Sequence, residues 1–379
     1  MKICWFGFLA KNHSWSIVAQ NISRELIKLG HDVDLFSTNG LQYFPEDLKP
    51  YLKGNLEEGV PIVTPEDFMS KIAAKLHPTY DMQLSYTALR NFCQYFVRGD
   101  SNRFGIWNYE TTVLPTAFAK YYKCVDKVLP SSNFSKKIFT DNGMPEDKQV
   151  MIPHGIHLDR FQNLGKYPLK TRKKYKILCN IAQPHLRKNI PGLLKTWGKA
   201  FTKTDDVCLV LKISRKSPNP LFDVNFNEMY NDFRNKFKSH AEIEIIDTFI
   251  TDIETLYNAV DVVWTMSHAE CFWMPGLEAF AANKIVVAPR YGGQVDYMND
   301  ENSILIDGKT IRADMQMQYW EPSPYASVFD PSPDDGAKKL KDLVDNYGDY
   351  LNKFSPKMQE ILPNYTWTKV AERIVGLCK

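Results

Sequence analysis

The sequence predicts an α/β protein made of two doubly wound parallel-sheet domains, and three observations carry that expectation. Strand-like and helix-like stretches alternate along most of the chain, the strands of its second half are mostly apolar and rich in β-branched residues, and 379 residues are enough for about two domains. A composition of 44% hydrophobic and 24% charged residues belongs to a globular chain rather than a disordered or fibrous one. The net charge of +3 falls short of the strongly basic surface a nucleic-acid binder carries.

The apolar run Ile3 to Ala10 is short, is ended by Lys11 and lacks a small-residue cleavage site. It therefore reads as a first buried strand (Lys2 to Phe8) and not as a secretion signal. Val18, Ile22, Leu26 and Leu29 then recur at helical spacing, Gly30 stands where a left-handed cap is wanted, and Asp32 to Phe36 reads as a second strand. A strand, helix and strand in this order imply a parallel sheet with a right-handed crossover. Arg103 to Trp107, Lys127 to Pro130 and Gln149 to Pro153 read as further strands, with a short helix from Ser135 to Asn142 closed by Gly143. The stretch His157 to Tyr175 has little periodicity and a basic run, Lys166 to Lys176, so the interdomain connection is placed there.

A second series follows, with strands at Ile177 to Ala182, Val207 to Ile213, Ile243 to Asp247, Val260 to Met266, Ile285 to Ala288 and Ser303 to Ile306. The Pro-rich stretch Glu321 to Pro333 reads as an excursion before the C-terminal helices. Seven scattered cysteines, odd in number and never spaced C-x-x-C, read as reduced thiols. No apolar stretch approaches the roughly 18–20 residues that span a bilayer. The expectation is a soluble, cytoplasmic protein without a transmembrane segment.

The stretch His268-Ala269-Glu270-Cys271-Phe272-Trp273-Met274-Pro275-Gly276-Leu277-Glu278 holds the most chemistry. It follows a buried strand, and Pro275 suits the first turn of a helix. A helix start at the carboxyl edge of a parallel sheet favours a phosphate, because its backbone N–H groups and dipole point at the ligand. Glu270 and Glu278 can accept hydrogen bonds from ligand hydroxyls. Two glutamates at this spacing are weak evidence alone; the plain alternative is a solvated loop residue and a helix-start carboxylate worth about 0.3–1 kcal/mol.

In its context, however, this run resembles the E-x7-E signature of family 4 (GT4) retaining glycosyltransferases, with Glu270, Phe272, Pro275, Glu278, Ala279 and Ala281 in register. The resemblance extends over most of the chain. Gly30-His31-Asp32-Val33, Pro130-Ser131-Ser132, Ile152 to Phe161, Asp252 to Asp261, Gly292-Gly293 and Trp367 to Ala371 are similar to that family's segments in the same order. It implies a GT-B architecture of two Rossmann-like domains facing a cleft. An acceptor-side domain would cover residues 1–160, a donor domain 161–360, and a helix in 361–379 would cross back to the first domain.

The resemblance further implies a retaining, metal-independent transferase that moves a hexosyl or pentosyl group from a nucleotide diphosphate sugar to a hydroxyl acceptor. No cofactor is implied, since the nucleotide sugar is a co-substrate. Glu270 would contact the transferred sugar and Glu278 the ribose, while Lys188, helped by Arg187, would neutralise the diphosphate. Phe272, Trp273, Met274, Pro275, Gly292, Gly293 and His268 would line the donor side. His13 and Glu110 are acceptor-side candidates.

This chain departs from the pattern in three places. Gln183 stands where the family carries an arginine, Cys271 and Trp273 replace the two signature glycines, and the Gly7 to Ser14 loop lacks a Gly-Gly pair. The acceptor stays open between a carbohydrate and modified DNA, the latter because the basic linker 166–176 could contact phosphates. A sugar-nucleotide epimerase and a degenerate sugar-binding relative are the other readings. The Asp32-x-Asp34 pair and the His154, His157 pair are set aside as metal sites: the first lies in a strand, and the second lacks a third ligand. Oligomeric state is not legible.

Overall fold

The computed structural model describes residues 1–10, 14–55, 80–87, 101–116, 118–214, 224–318 and 322–378. The chain divides into two units. The first comprises Met1–Tyr109, Leu114–Gly155 and Tyr365–Lys379, and the second Glu110–Val113 and Ile156–Asn364.

Unit 1 holds a six-stranded parallel sheet of β1 (Lys2–Gly7), β2 (Asp32–Ser37), β3 (Leu52–Asn55), β4 (Met82–Tyr86), β5 (Asn102–Ile106) and β6 (Lys127–Leu129), in the order β3-β2-β1-β4-β5-β6. The run from Ile3 to Phe6 is fully buried as β1, as its apolar character requires. Helix Ser14–Lys28 buries Val18, Ile22 and Leu26 against the sheet, and Gly30 takes the left-handed cap at φ 84°. Leu29 lies just past the helix and is exposed instead.

Gln149 to Pro153 is not a regular strand. Val150 and Ile152 donate to the carbonyls of Val128 and Pro130, at 3.0 and 2.9 Å. Pro130 has no N–H to return a bond, so the pairing stops at the isolated parallel bridge of Val128 with Gln149. The last helix, Trp367–Val375, belongs to this unit and packs on Ser14–Lys28, where Thr368 Oγ1 donates to Glu25 Oε2 at 2.8 Å. Gly155 leaves room for it: a Cβ there would come within 2.7 Å of the Trp367 backbone nitrogen.

Unit 2 holds β7 (Tyr175–Ile181), β8 (Val207–Ile213), β9 (Glu242–Ile246), β10 (Val262–Trp264), β11 (Ile285–Pro289) and β12 (Ile304–Ile306), all parallel, in the order β12-β11-β10-β7-β8-β9. Each strand expected from the apolar runs is present. An antiparallel hairpin, β13 (Gly308–Arg312) and β14 (Ser327–Pro331), occupies part of the expected Pro-rich excursion. The stretch 157–175 contains a helix, Leu158–Asn163, and the chain enters unit 2 at Ile156. Lys166, Lys170, Arg172 and Lys174 of the basic run are exposed.

The expectation that all seven cysteines are reduced thiols is corrected. Cys124 is disulfide-bonded, while Cys4, Cys179, Cys208, Cys271 and Cys378 are free; Cys93 lies outside the described residues. Among the described residues no helix is long and apolar enough to cross a membrane, and no group of three or more His, Cys, Asp or Glu could hold a metal ion.

Candidate active site

In unit 2 the chain runs outward from β7 to β8 and β9, then returns to the other side of β7 with β10, β11 and β12. The strand order therefore reverses between β7 and β10, the place where open α/β sheets bind ligands at the carboxyl ends of their strands. The two loops leaving those neighbouring strands carry Arg187 and Lys188 on one side and His268 and Glu270 on the other. Backbone and side-chain bonds lock the loops together. His268 N–H donates to the Arg187 carbonyl at 2.9 Å, and Asn189 Nδ2 donates to the Met266 carbonyl at 3.0 Å. Asn189, left-handed at φ 51°, also caps the Ile190–Ala200 helix by accepting from Gly192 N–H at 3.1 Å.

These ties bring four charges into one cluster. Lys188 Nζ lies 2.7 Å from Glu270 Oε1, and Arg187 Nη1 lies 3.2 Å from Glu270 Oε2. Arg187 Nη1 also donates to the Ala269 carbonyl, and Nη2 reaches Glu110 Oε1 at 3.3 Å. Burial works to raise the Glu270 pKa. The charges of Lys188 and Arg187, with hydrogen bonds from Lys188 and Ser267, outweigh it and hold the carboxyl at about 2. Glu270 is thus an oriented carboxylate at neutral pH, while the Arg187 side chain is only 7% exposed and is enclosed by its partners.

His268 Nδ1 sits 2.8 Å from the Phe329 carbonyl, which can only accept, so Nδ1 carries the proton. Burial lowers its pKa, which leaves Nε2 as an acceptor on a neutral ring. His185 Nδ1 accepts from Arg187 N–H at 3.1 Å, and burial, with the charges of Arg187 and Lys188, lowers its pKa to about 3.

The Met274–Ala281 helix starts at Trp273, which adopts the left-handed φ of 59° that the signature's glycine would suit. Tyr297 donates its hydroxyl to the carbonyls of Trp273 (2.6 Å) and Phe272 (3.1 Å), and this holds the turn. Met274 and Pro275 are half-buried in the first turn. Phe272 is 2% exposed, its ring centroid 5.3 Å from that of Tyr297, so it is a core residue of this loop. Gly293 N–H donates to the Glu270 carbonyl at 2.8 Å, and Gly292, at φ 101°, lies so close that a Cβ would meet the same oxygen at 2.9 Å. Glu278 accepts from the Tyr257 hydroxyl at 2.5 Å, and Tyr257 in turn accepts from Asn180 Nδ2 at 3.3 Å. Burial raises the Glu278 pKa to about 7 despite the Tyr257 bond.

No protein-family model and no curated protein sequence matches the chain. Solved structures do. A glycosyltransferase from Rickettsia africae ESF-5 superposes with a TM-score of 0.74 at 17% identity, over 100% of this chain and 98% of that one. Anabaena HepE, crystallised with UDP, gives 0.71 at 13% over 100% and 99%. Sucrose-phosphate synthase from Thermosynechococcus elongatus gives 0.71 at 13% over 100% and 98%. The fold is GT-B. At these identities the likeness establishes architecture and nothing finer.

On this GT-B framework the structure brings together Lys188, Arg187, Glu270, Glu110, Gly292, Gly293 and His268 in unit 2. His13 lies outside the described residues. Glu110, expected on the acceptor side, is part of unit 2 and pairs with Arg187. Sequence reasoning missed Asn189, His185, Tyr257 and Tyr297. Asn189 carried a signal, an asparagine just ahead of a Pro-containing helix start. Tyr297 carried none, because its partners are backbone carbonyls that no side-chain pattern reveals.

Proposed function

We propose that the chain is a retaining GT4 glycosyltransferase, which moves a sugar from a nucleotide diphosphate sugar to a hydroxyl acceptor without a metal. The observation that carries this reading is the Lys188–Glu270 pair at the switch point of the unit 2 sheet. An ammonium there can neutralise the charge that builds on the β-phosphate as the nucleotide departs, and fixed charges at such a place stabilise the transition state most. Glu270, held ionised and oriented, accepts hydrogen bonds from the transferred sugar, and Glu278 accepts from the ribose. The start of the Met274–Ala281 helix turns the positive end of its dipole toward the phosphates.

The neighbours support the donor class, since HepE was crystallised with UDP and with UDP-glucose. In this reading Arg187 acts on Glu270. With its guanidinium engaged by Glu270, Ala269 and Glu110, it positions Glu270 and leaves the diphosphate to Lys188. A thermal-shift screen against nucleotide diphosphate sugars tests the proposal, because a ligand that binds only the folded state raises the melting temperature. One or more donors should raise it; no shift with any common nucleotide sugar, together with no donor hydrolysis, would refute it.

A further inference from the structure

Glu110 reaches unit 2 by an unusual route. The segment Glu110–Val113 belongs to unit 2, yet Tyr109 and Leu114 on either side of it belong to unit 1. It is pinned to the β13–β14 hairpin: Ser327 N–H donates to Thr112 Oγ1 at 2.8 Å, and Val113 packs against the cluster of Ala269, Ala313, Ala326 and Val328. That anchoring presents the Glu110 carboxylate to Arg187 Nη2. Among the described residues Arg187 is the only cation ion-paired with it.

The resulting cluster contains Lys188, Arg187, Glu270 and Glu110, two cations and two carboxylates, and is formally neutral. A nucleoside diphosphate brings two or more negative charges, so a neutral cluster is a poor trap for it. Glu270 has work to do on the sugar in the proposed reaction. Glu110 has none there; its carboxylate holds Nη2 of Arg187 and adds a negative charge to the cluster in which Lys188 would meet the phosphates.

We infer that Glu110 is a positioning residue and electrostatic counterweight: through Arg187 it steadies Glu270, and its charge weakens the site's hold on the nucleoside diphosphate, which favours release of the spent nucleotide. This rests on the donor reading above. Product release limits many enzymes whose chemistry is fast, so weakening the hold on the leaving nucleotide serves turnover.

The test is calorimetric titration of the full chain with uridine, guanosine and adenosine diphosphates, beside steady-state turnover. Glu110→Gln keeps the shape and removes the charge. It should bind the accepted diphosphate about tenfold more tightly, with the difference shrinking as salt rises, while turnover falls. Glu110→Asp keeps the charge and should bind as the parent does. A purely structural role would weaken binding in both variants. Equal or weaker binding by Glu110→Gln, or tighter binding by Glu110→Asp, overturns the inference while leaving the donor reading intact. If the Gln variant does not fold, Glu110→Ala discharges the same position and carries the same readout. If the parent chain binds none of the three diphosphates, no nucleotide sugar raises its melting temperature and none is hydrolysed, the donor reading has failed and this inference falls with it.

Discussion

Lys188 and Glu270 form a 2.7 Å ion pair across 82 residues of sequence. They meet because β7 and β10 are parallel neighbours, with Ile177 beside Val262 and Leu178 beside Val263, so the loops leaving both strands emerge at one edge of the sheet. Lys188→Ala should lower turnover by roughly 10²–10³, the usual effect of losing one charge-stabilising donor. Steady-state rates with the donor found by thermal shift check this, and a loss confined to KM would show that the lysine binds the ground state and the transition state equally.

Glu278 gives the stability a pH dependence of defined sign. Its pKa rises from 4.5 to about 7 on folding, so between those values the folded chain retains a proton that the unfolded chain has released. The group's contribution is complete below about pH 4.5 and is lost as pH rises through about 7. Glu278→Gln, which cannot ionise, should flatten the decline of melting temperature over that interval and be the more stable protein above it. Parallel declines in the two proteins would show that Glu278 does not titrate in this way.

Trp273 tests backbone strain against packing. Returning glycine to this left-handed position relieves about 1–2 kcal/mol, but removing a buried tryptophan ring typically costs about 3–5 kcal/mol. Trp273→Gly should therefore lose about 1–4 kcal/mol on balance in urea unfolding. A gain in stability would mean that the ring contributes little to the packing around Gly276.

Gly292 gives a complementary result. At φ 101°, with the Glu270 carbonyl in the way of a Cβ, alanine here should cost about 1–3 kcal/mol and push on the Glu270 backbone. Gly292→Ala should accordingly reduce turnover at temperatures where the protein is still folded. Full activity in the folded variant would separate the glycine loop from the positioning of Glu270.

The strands of unit 2 were legible because a strand covered on both faces is mostly apolar, and Val207–Ile213 is such a run apart from Lys212. The stretch Gln149 to Pro153 misled because its residues suit a strand, while the missing donor belongs to Pro130 on the adjacent segment. Glu270 and Lys188 were nameable from sequence through the pattern around them. Their mutual distance was not, since it depends on which strands become neighbours.

By itself, then, the sequence determined the alternation of strands and helices, the two sheets, and the helix start that Pro275 signals, because these follow from local periodicity and from the conformational limits of single residues. Only the tertiary structure decided that Arg187 is enclosed by Glu270 and Glu110, that Tyr297 holds the Trp273 turn, and that Glu278 lies against Tyr257. Each of those is a contact between segments distant in the chain, fixed by strand order and loop packing, and charge or hydrogen-bonding capacity in a sequence does not state which partner will satisfy it.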